Sequence, residues 1–291
     1  MFEAEQKFRL AHPEAFLKTV SELGLCWQKK VVEVDTYFQH PSRDFVKTDE
    51  ALRVRRHLTF LRARAGATPD EISDVNPAAV PDEISDAPAR VEAECLMTFK
   101  GPKLDRETKI RKELELPLGV KSELVPSLFP GVSLRPSVIR FCGAQGRAGA
   151  SASVGSDVSV ESDASVNSDA SSGSDVSVGP NSPQALWELL ERLPELSVCA
   201  QWSEMLTLLG FRAVRNVCKV RSKAYWNWDG ARVEFSFDQV SPIGSFAELE
   251  FLAEDESAIP LAKKRLLSLS EFLCLTDVEP RSYLALIMNE E

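Results

Sequence analysis

The chain has 291 residues, 44% of them hydrophobic and 27% charged, and a net charge of −10. That length allows one large domain or two ordinary ones, each with room for a core. No apolar run approaches the roughly 18 residues of a membrane span, and a charged alternation begins at Glu3, so neither membrane insertion nor export is expected.

The net charge is concentrated. Between positions 66 and 92 seven acids face one arginine, and between 148 and 183 five acids face no base, which leaves the rest of the chain near +1. An anion site there is therefore compatible with the total. Both segments are repetitive: PDEISD occurs at Pro69 and again at Pro81, and the second has a six-residue Ser/Asp period. Such compositions bury too little apolar area to offset ordering entropy. The chain thus reads as one domain over 1–291, interrupted by an acidic low-complexity insert at 66–92 and a disordered insert at 148–182.

Taken in order, the chain opens with FEAEQKFRL, in which Glu3, Glu5, Lys7 and Arg9 occupy alternate positions of an extended segment. Phe16, Leu17, Val20 and Leu23 recur at helical spacing after Pro13 and before Gly24, predicting a helix over 13–23. The charged alternation then returns. Arg53 and Arg55 alternate with Leu52 and Val54; TFKG adds Lys100; Lys109, Arg111, Glu113 and Glu115 alternate with apolar residues. Helices are predicted over 183–193 and 200–209. Further strands follow, carrying Lys219, Arg221 and Lys223, then Glu234, Ser236 and Asp238, then Glu248 and Glu250. Helices over 257–273 and 281–288 end the chain.

Two architectures use such strands. If the charged faces meet water, the apolar faces form a sandwich core. If they point inward, a closed barrel encloses acids and bases, which then need pairing or a highly charged ligand. Pattern alone leaves both open. The cysteines Cys26, Cys95, Cys142, Cys199, Cys218 and Cys274 contain no C-x-x-C pair and read as the reduced thiols of a cytoplasmic protein. His12, His40 and His57 are assigned to positions outside the alternating charged set and read as surface or structural. Tyr37, Phe38, Trp226 and Trp228 read as core or rim packing ahead of a nucleobase border.

The E-x-E-x-K of Glu3, Glu5 and Lys7, with DTYFQHPSRDFVKTDEALRVRR, TFKGPKLDRETKIRKELEL, KVRSKAYW and FSFDQVSPIGSFAELE in that order, resembles the triphosphate tunnel metalloenzymes that carry a CYTH domain. RDFVKTDEALRVR, TFKGPKLD and the terminal RSYLALI are most similar to the class IV adenylyl cyclase branch. The resemblance implies an α+β fold dominated by β: an eight-stranded antiparallel closed barrel with a charged lumen and helices packed outside. It implies that Lys7, Arg53, Arg55, Lys100, Lys219 and Arg221 grip a triphosphate, with Arg111 and Lys223 as weaker candidates. Glu3, Glu5, Asp238, Glu248 and Glu250 are implied to hold Mg²⁺ or Mn²⁺, since their donors are all oxygen, while Glu113 and Glu115 orient bases. Glu5, Lys7, Arg55 and Lys100 are the implied catalytic set.

The implied activity is a cyclase converting ATP to cyclic AMP and pyrophosphate. The alternative is a triphosphatase acting on thiamine triphosphate, tripolyphosphate or a nucleoside triphosphate, and a third is a non-catalytic polyphosphate-binding module. The expected partner is a small triphosphate-containing molecule rather than nucleic acid or membrane. The sequence leaves the oligomeric state open, a homodimer being one form.

Overall fold

The computed structural model describes residues 2–62, 86–103, 111–138 and 183–289. Most of the 66–92 segment and all of 148–182 lie outside them. The described part of the first insert is ordered sheet at its end: strand β4 starts at Arg90, and Asp86 accepts from Arg62 Nη2 at 2.8 Å and pairs with Arg135 Nε at 2.5 Å.

Nine strands form one antiparallel sheet: β1 (Phe2–Arg9), β2 (Trp27–Gln39), β3 (Ala51–Leu61), β4 (Arg90–Lys103), β5 (Arg111–Pro117), β6 (Ser122–Leu124), β7 (Arg212–Trp228), β8 (Ala231–Ser241) and β9 (Gly244–Ala253). Their order is β1-β9-β8-β7-β2-β3-β4-β5, with β6 also paired to β4. This corrects the expected eight-stranded closed barrel, because among the described residues no ladder joins the two edges. The hydrogen-bonding groups at the outer edge of β1 have another partner. Phe8 bridges Val278, Arg9 N donates to Asp277 O at 2.8 Å, and Glu279 N donates to Lys7 O at 2.8 Å. At the far side β5 and β6 share one edge of β4 in succession.

Alternation sorts each strand into two faces. Val32, Val34, Phe38, Leu52, Val54, Leu58 and Phe60 of β2 and β3 pack beneath helices α3 (Pro183–Arg192) and α4 (Ser197–Leu208). Phe8, Phe235, Phe237, Leu249 and Phe251 pack beneath α1 (Pro13–Glu22) and α5 (Ile259–Phe272). Full burial of each such side chain contributes about 1.5–3 kcal/mol, so these two clusters fix which face turns away from the helices. Trp226 and Trp228 join the second cluster, their rings 6.4 and 4.9 Å from Phe272, and Phe38 lies in the first. One short helix, α2 (Phe45–Thr48), falls outside the sequence expectations; Asp44 Oδ1 caps it, accepting from Val46 N and Lys47 N.

The cysteines require a second correction. Cys95 on β4 and Cys199 on α4 form a disulfide, with Cα atoms 5.8 Å apart, because the apolar face of β4 meets the inner side of α4. Cys26, Cys218 and Cys274 are free thiols.

The last helix, α6 (Tyr283–Met288), differs from the others in the face it covers. Leu286 and Ile287 are buried with Val217, Val240 and Phe246, and Tyr37 packs against them. By register all four sheet residues belong to the charged face, so α6 closes one end of it. Among the described residues no helix is long and apolar enough to cross a membrane.

Candidate active site

Register puts the charged residues of eight strands on a single face. Lys7 stands opposite Glu248 and Glu5 opposite Glu250. Glu248 in turn faces Ser236, and Glu250 faces Glu234. Arg221 lies opposite Asp238, Lys219 opposite Glu33, Asp35 opposite Arg55, and Thr98 opposite both Arg53 and Glu115. Glu3 and Glu113 take register positions opposite Leu252 and Lys100. Glu5, Lys7, Arg53, Arg55, Lys100, Glu115, Lys219, Arg221, Asp238, Glu248 and Glu250 occupy this one face. Several are nearly inaccessible, Lys7 at 4% and Asp238 at 0%, so the sheet curls around its charges.

The interior ions are paired. Asp35 accepts from Arg55 Nε at 2.6 Å and Nη2 at 2.7 Å, and from Arg53 Nη1 at 3.0 Å. Glu33 accepts from Arg55 Nη1 at 2.7 Å, and its other oxygen lies 2.7 Å from Lys219 Nζ. Asp238 accepts from Arg221 Nε at 2.6 Å and Nη2 at 2.5 Å, and that same Nη2 reaches Glu248. Tyr283, at the start of α6, sets its hydroxyl 2.6 Å from Asp238 and 3.0 Å from Glu248. Lys7 Nζ donates to the Arg281 carbonyl and sits 4.2 Å from the centre of the Tyr283 ring. Lys223 Nζ pairs with Glu234 at 2.5 Å.

The carboxyls divide into two electrostatic classes. Burial pushes Asp35 and Glu33 up, but Arg55 with Arg53 for the first, and Arg55 with Lys219 for the second, outweigh it and hold both below the usual range. Asp238 is held low in the same way by Arg221 and Lys219 against its burial. Glu248 goes the other way: burial raises it, and although Arg221 opposes, repulsion from Asp238 and Glu5 adds to the rise. Glu248 thus has two acids, Asp238 and Glu5, as well as Arg221 close enough to act on it. Glu5 on β1 and Glu248 and Glu250 on β9 lie on adjacent strands, Glu5 directly opposite Glu250. Among the described residues no three His, Cys, Asp or Glu side chains are placed so that they could hold a metal ion together, and both Asp238 oxygens are engaged by Arg221 and Tyr283.

Two of the three histidines stand off the face. His40 Nδ1 accepts from Ser42 N at 3.1 Å and Arg43 N at 3.0 Å in a turn, and His12 precedes α1. His57 corrects the sequence reading. It continues the Arg53, Arg55 alternation and pairs in register with Glu33, on the charged face. Glu33, Asp35 and Tyr283 are the other site residues that the sequence reading did not single out. The period-two spacing of VVEVDTYF carried the signal for the first two.

A family model for the CYTH domain matches residues 1–283. The chain belongs to the CYTH domain family. CYTH proteins act on triphosphates and use divalent metals. A curated relative from Methanocaldococcus jannaschii, named "Putative adenylate cyclase MJ0240", is 27% identical over 124 residues, 43% of this chain and 51% of that protein. The CYTH chain thus spans about half the length of the curated relative it matches. Among solved structures, the PH1819 protein from Pyrococcus horikoshii OT3 is similar with a TM-score of 0.53 and 22% identity, covering 100% of both chains. A structure named "putative adenylate cyclase" from Vibrio parahaemolyticus gives a TM-score of 0.47 at 16% identity, covering 99% of this chain and 98% of that one.

Proposed function

We propose that this CYTH protein is a metal-dependent adenylyl cyclase, converting ATP to cyclic AMP and pyrophosphate. The observation that carries the reading is the convergence of Lys7, Arg53, Arg55, Lys219 and Arg221 on one enclosed face, with a crowded set of acids beside them. A triphosphate bears about four negative charges, and its cleavage needs fixed cations where charge develops. Arg55 gives Nε and Nη2 to Asp35 and Nη1 to Glu33, three of its five N–H groups, and Arg221 gives Nε and Nη2 to Asp238 and Glu248. The carboxylates therefore aim the arginines, and the remaining N–H groups grip phosphate oxygens. Lys7, Lys100 and Lys219 add point charges.

Glu5, Glu248 and Glu250 would hold Mg²⁺ or Mn²⁺, with Glu3 two positions earlier in the same alternation and Asp238 placing Arg221 beside them. Such an ion, when bound, would supply Lewis acidity at the reacting phosphate and lower the pKa of the attacking hydroxyl. The 3′-hydroxyl oxygen bonds to the α-phosphorus and its proton passes to water, the bond from that phosphorus to the pyrophosphate oxygen breaks, and the arginines stabilise the departing charge.

Hydrolysis is the second reading. It is favoured by a lining dominated by charged side chains, with Tyr37, Tyr225, Tyr283 and His57 among the neutral groups at charged-face positions and Val217, Val240 and Phe246 covered by α6. One experiment separates the two: purified protein with Mg²⁺ or Mn²⁺ is given ATP, 3′-deoxy-ATP and tripolyphosphate, and the products are resolved. The cyclase gives cyclic AMP and pyrophosphate from ATP alone. Orthophosphate at similar rates from all three, without cyclic nucleotide, establishes the triphosphatase instead.

A further inference from the structure

Helix α6 makes the two ends of the charged face unequal. It sits against Tyr37 and Val217, and Tyr37 is the register partner of Arg53. Moving away from α6, the sheet presents Asp35 with Arg55, then Glu33 with His57 and Lys219, then Val31 with Thr59 and Arg221. Each step is two residues, about 6.6 Å along a strand. A phosphate chain gripped by Arg53 and Arg55 therefore has protein at one end, and whatever is joined to its other end must extend past His57.

His57 is unlike its neighbours there. It is hemmed in by Glu33, Arg55, Lys29 and Lys219, and burial, opposed by Glu33 and helped by the three cations, pushes its pKa down to about 4, so the ring is neutral near pH 7. Its Nε2 lies 3.1 Å from Thr59 Oγ1, while its Nδ1 is buried with no hydrogen-bond partner among the described residues. A buried polar atom without a partner is a standing cost that a ligand group can remove. A neutral imidazole has little to offer phosphate oxygens beside such cations, but it can hydrogen-bond a hydroxyl or a ring nitrogen.

We propose that His57 distinguishes organic from inorganic triphosphates, its Nδ1 bonding the alcohol-derived portion of a triphosphate monoester held by Arg53, Arg55 and Lys219. The inference rests on the triphosphate reading and adds the direction in which the substrate lies, with its free terminal phosphate toward α6 and its organic part toward the open end.

The test is calorimetric titration of the full chain with ATP and with tripolyphosphate, in EDTA so that no turnover occurs. His57→Ala should weaken ATP about tenfold, the loss of one good hydrogen bond, and change tripolyphosphate by less than about twofold. His57→Asn, whose amide reaches the place of Nδ1, should recover most of the ATP affinity; His57→Gln, which reaches the place of Nε2, should not. If the alanine variant fails to fold, the asparagine and glutamine variants give the same comparison. Equal losses for both ligands, or none for either, overturn the proposal while leaving the triphosphate site standing. Failure of the unsubstituted protein to bind tripolyphosphate overturns the reading beneath it.

Discussion

Arg221 and Asp238 stand opposite each other on β7 and β8, joined by two hydrogen bonds of 2.6 and 2.5 Å, with Asp238 wholly buried. Taking away one partner of a buried ion pair leaves the other uncompensated, a loss of about 3–5 kcal/mol. Asp238→Ala should therefore destabilise the protein by roughly that amount in urea unfolding. Glu234→Ala, which frees the more exposed Lys223, should cost clearly less. Equal effects would show that the Arg221 site is not the closed, dry one described.

Glu5 is exposed, in contrast to Lys7 two residues on, and contributes its charge to the crowded acids around Glu248. Glu5→Gln keeps shape and removes charge. Turnover of ATP should fall by at least about 100-fold, and the metal concentration for half-maximal rate should rise, as expected when a metal-positioning group is lost. Thermal unfolding should move by only a few degrees, a surface-type effect. Near-native turnover at low metal would remove Glu5 from the metal set.

The stability of the fold should carry a histidine signature. The His57 pKa is about 4 when folded against 6.5 when free, so between those values the unfolded chain binds more protons. Stability therefore rises with pH from about 4 to 6.5 and is lost on acidification through that window, by at most about 3 kcal/mol. Asp35 and Glu33 act in the same direction at lower pH, because their folded values lie below the unfolded ones. His57→Gln should flatten the profile between pH 4 and 6.5 and leave the more acidic limb. An unchanged profile would place the titration elsewhere.

The disulfide joins residues 104 apart in sequence, and cross-links over such loops stabilise by about 2–4 kcal/mol. Thiol labelling of the denatured, unreduced protein followed by peptide mapping should find Cys26, Cys218 and Cys274 modified and Cys95 and Cys199 protected. Reductant should lower the unfolding midpoint. Labelling of Cys95 and Cys199 as well would mean that they are merely neighbours.

Much of this site was legible in alternation. Period-two spacing put Glu5 with Lys7, Arg53 with Arg55, Lys219 with Arg221 and Glu248 with Glu250 on one face of their own strands, because strand geometry turns alternate side chains to one side, and the family resemblance implied that these faces share one site. The same rule applied to Glu33, Asp35 and His57, but valines at 31, 32 and 34 filled both faces of β2 and masked its alternation. Which strand edges meet is a different matter. The hydrogen bonds of β1 to residues 277–279 form between segments far apart in the chain, and no local pattern announces them. The Cys95–Cys199 pairing is non-local in the same way. The position of α6 on the charged face follows from three apolar sites at Val217, Val240 and Phe246, each an interruption of a charged alternation that makes sense only once a helix is seen to cover it.

Triphosphate binding on the paired, enclosed face is tested directly by a crystal structure of the full chain with tripolyphosphate. The account predicts phosphate oxygens within hydrogen-bond distance of Arg53, Arg55, Lys219 and Arg221, with one end of the anion toward Tyr283. Tripolyphosphate bound elsewhere on the molecule, with the Arg55–Asp35 and Arg221–Asp238 pairs untouched by any ligand, would contradict it.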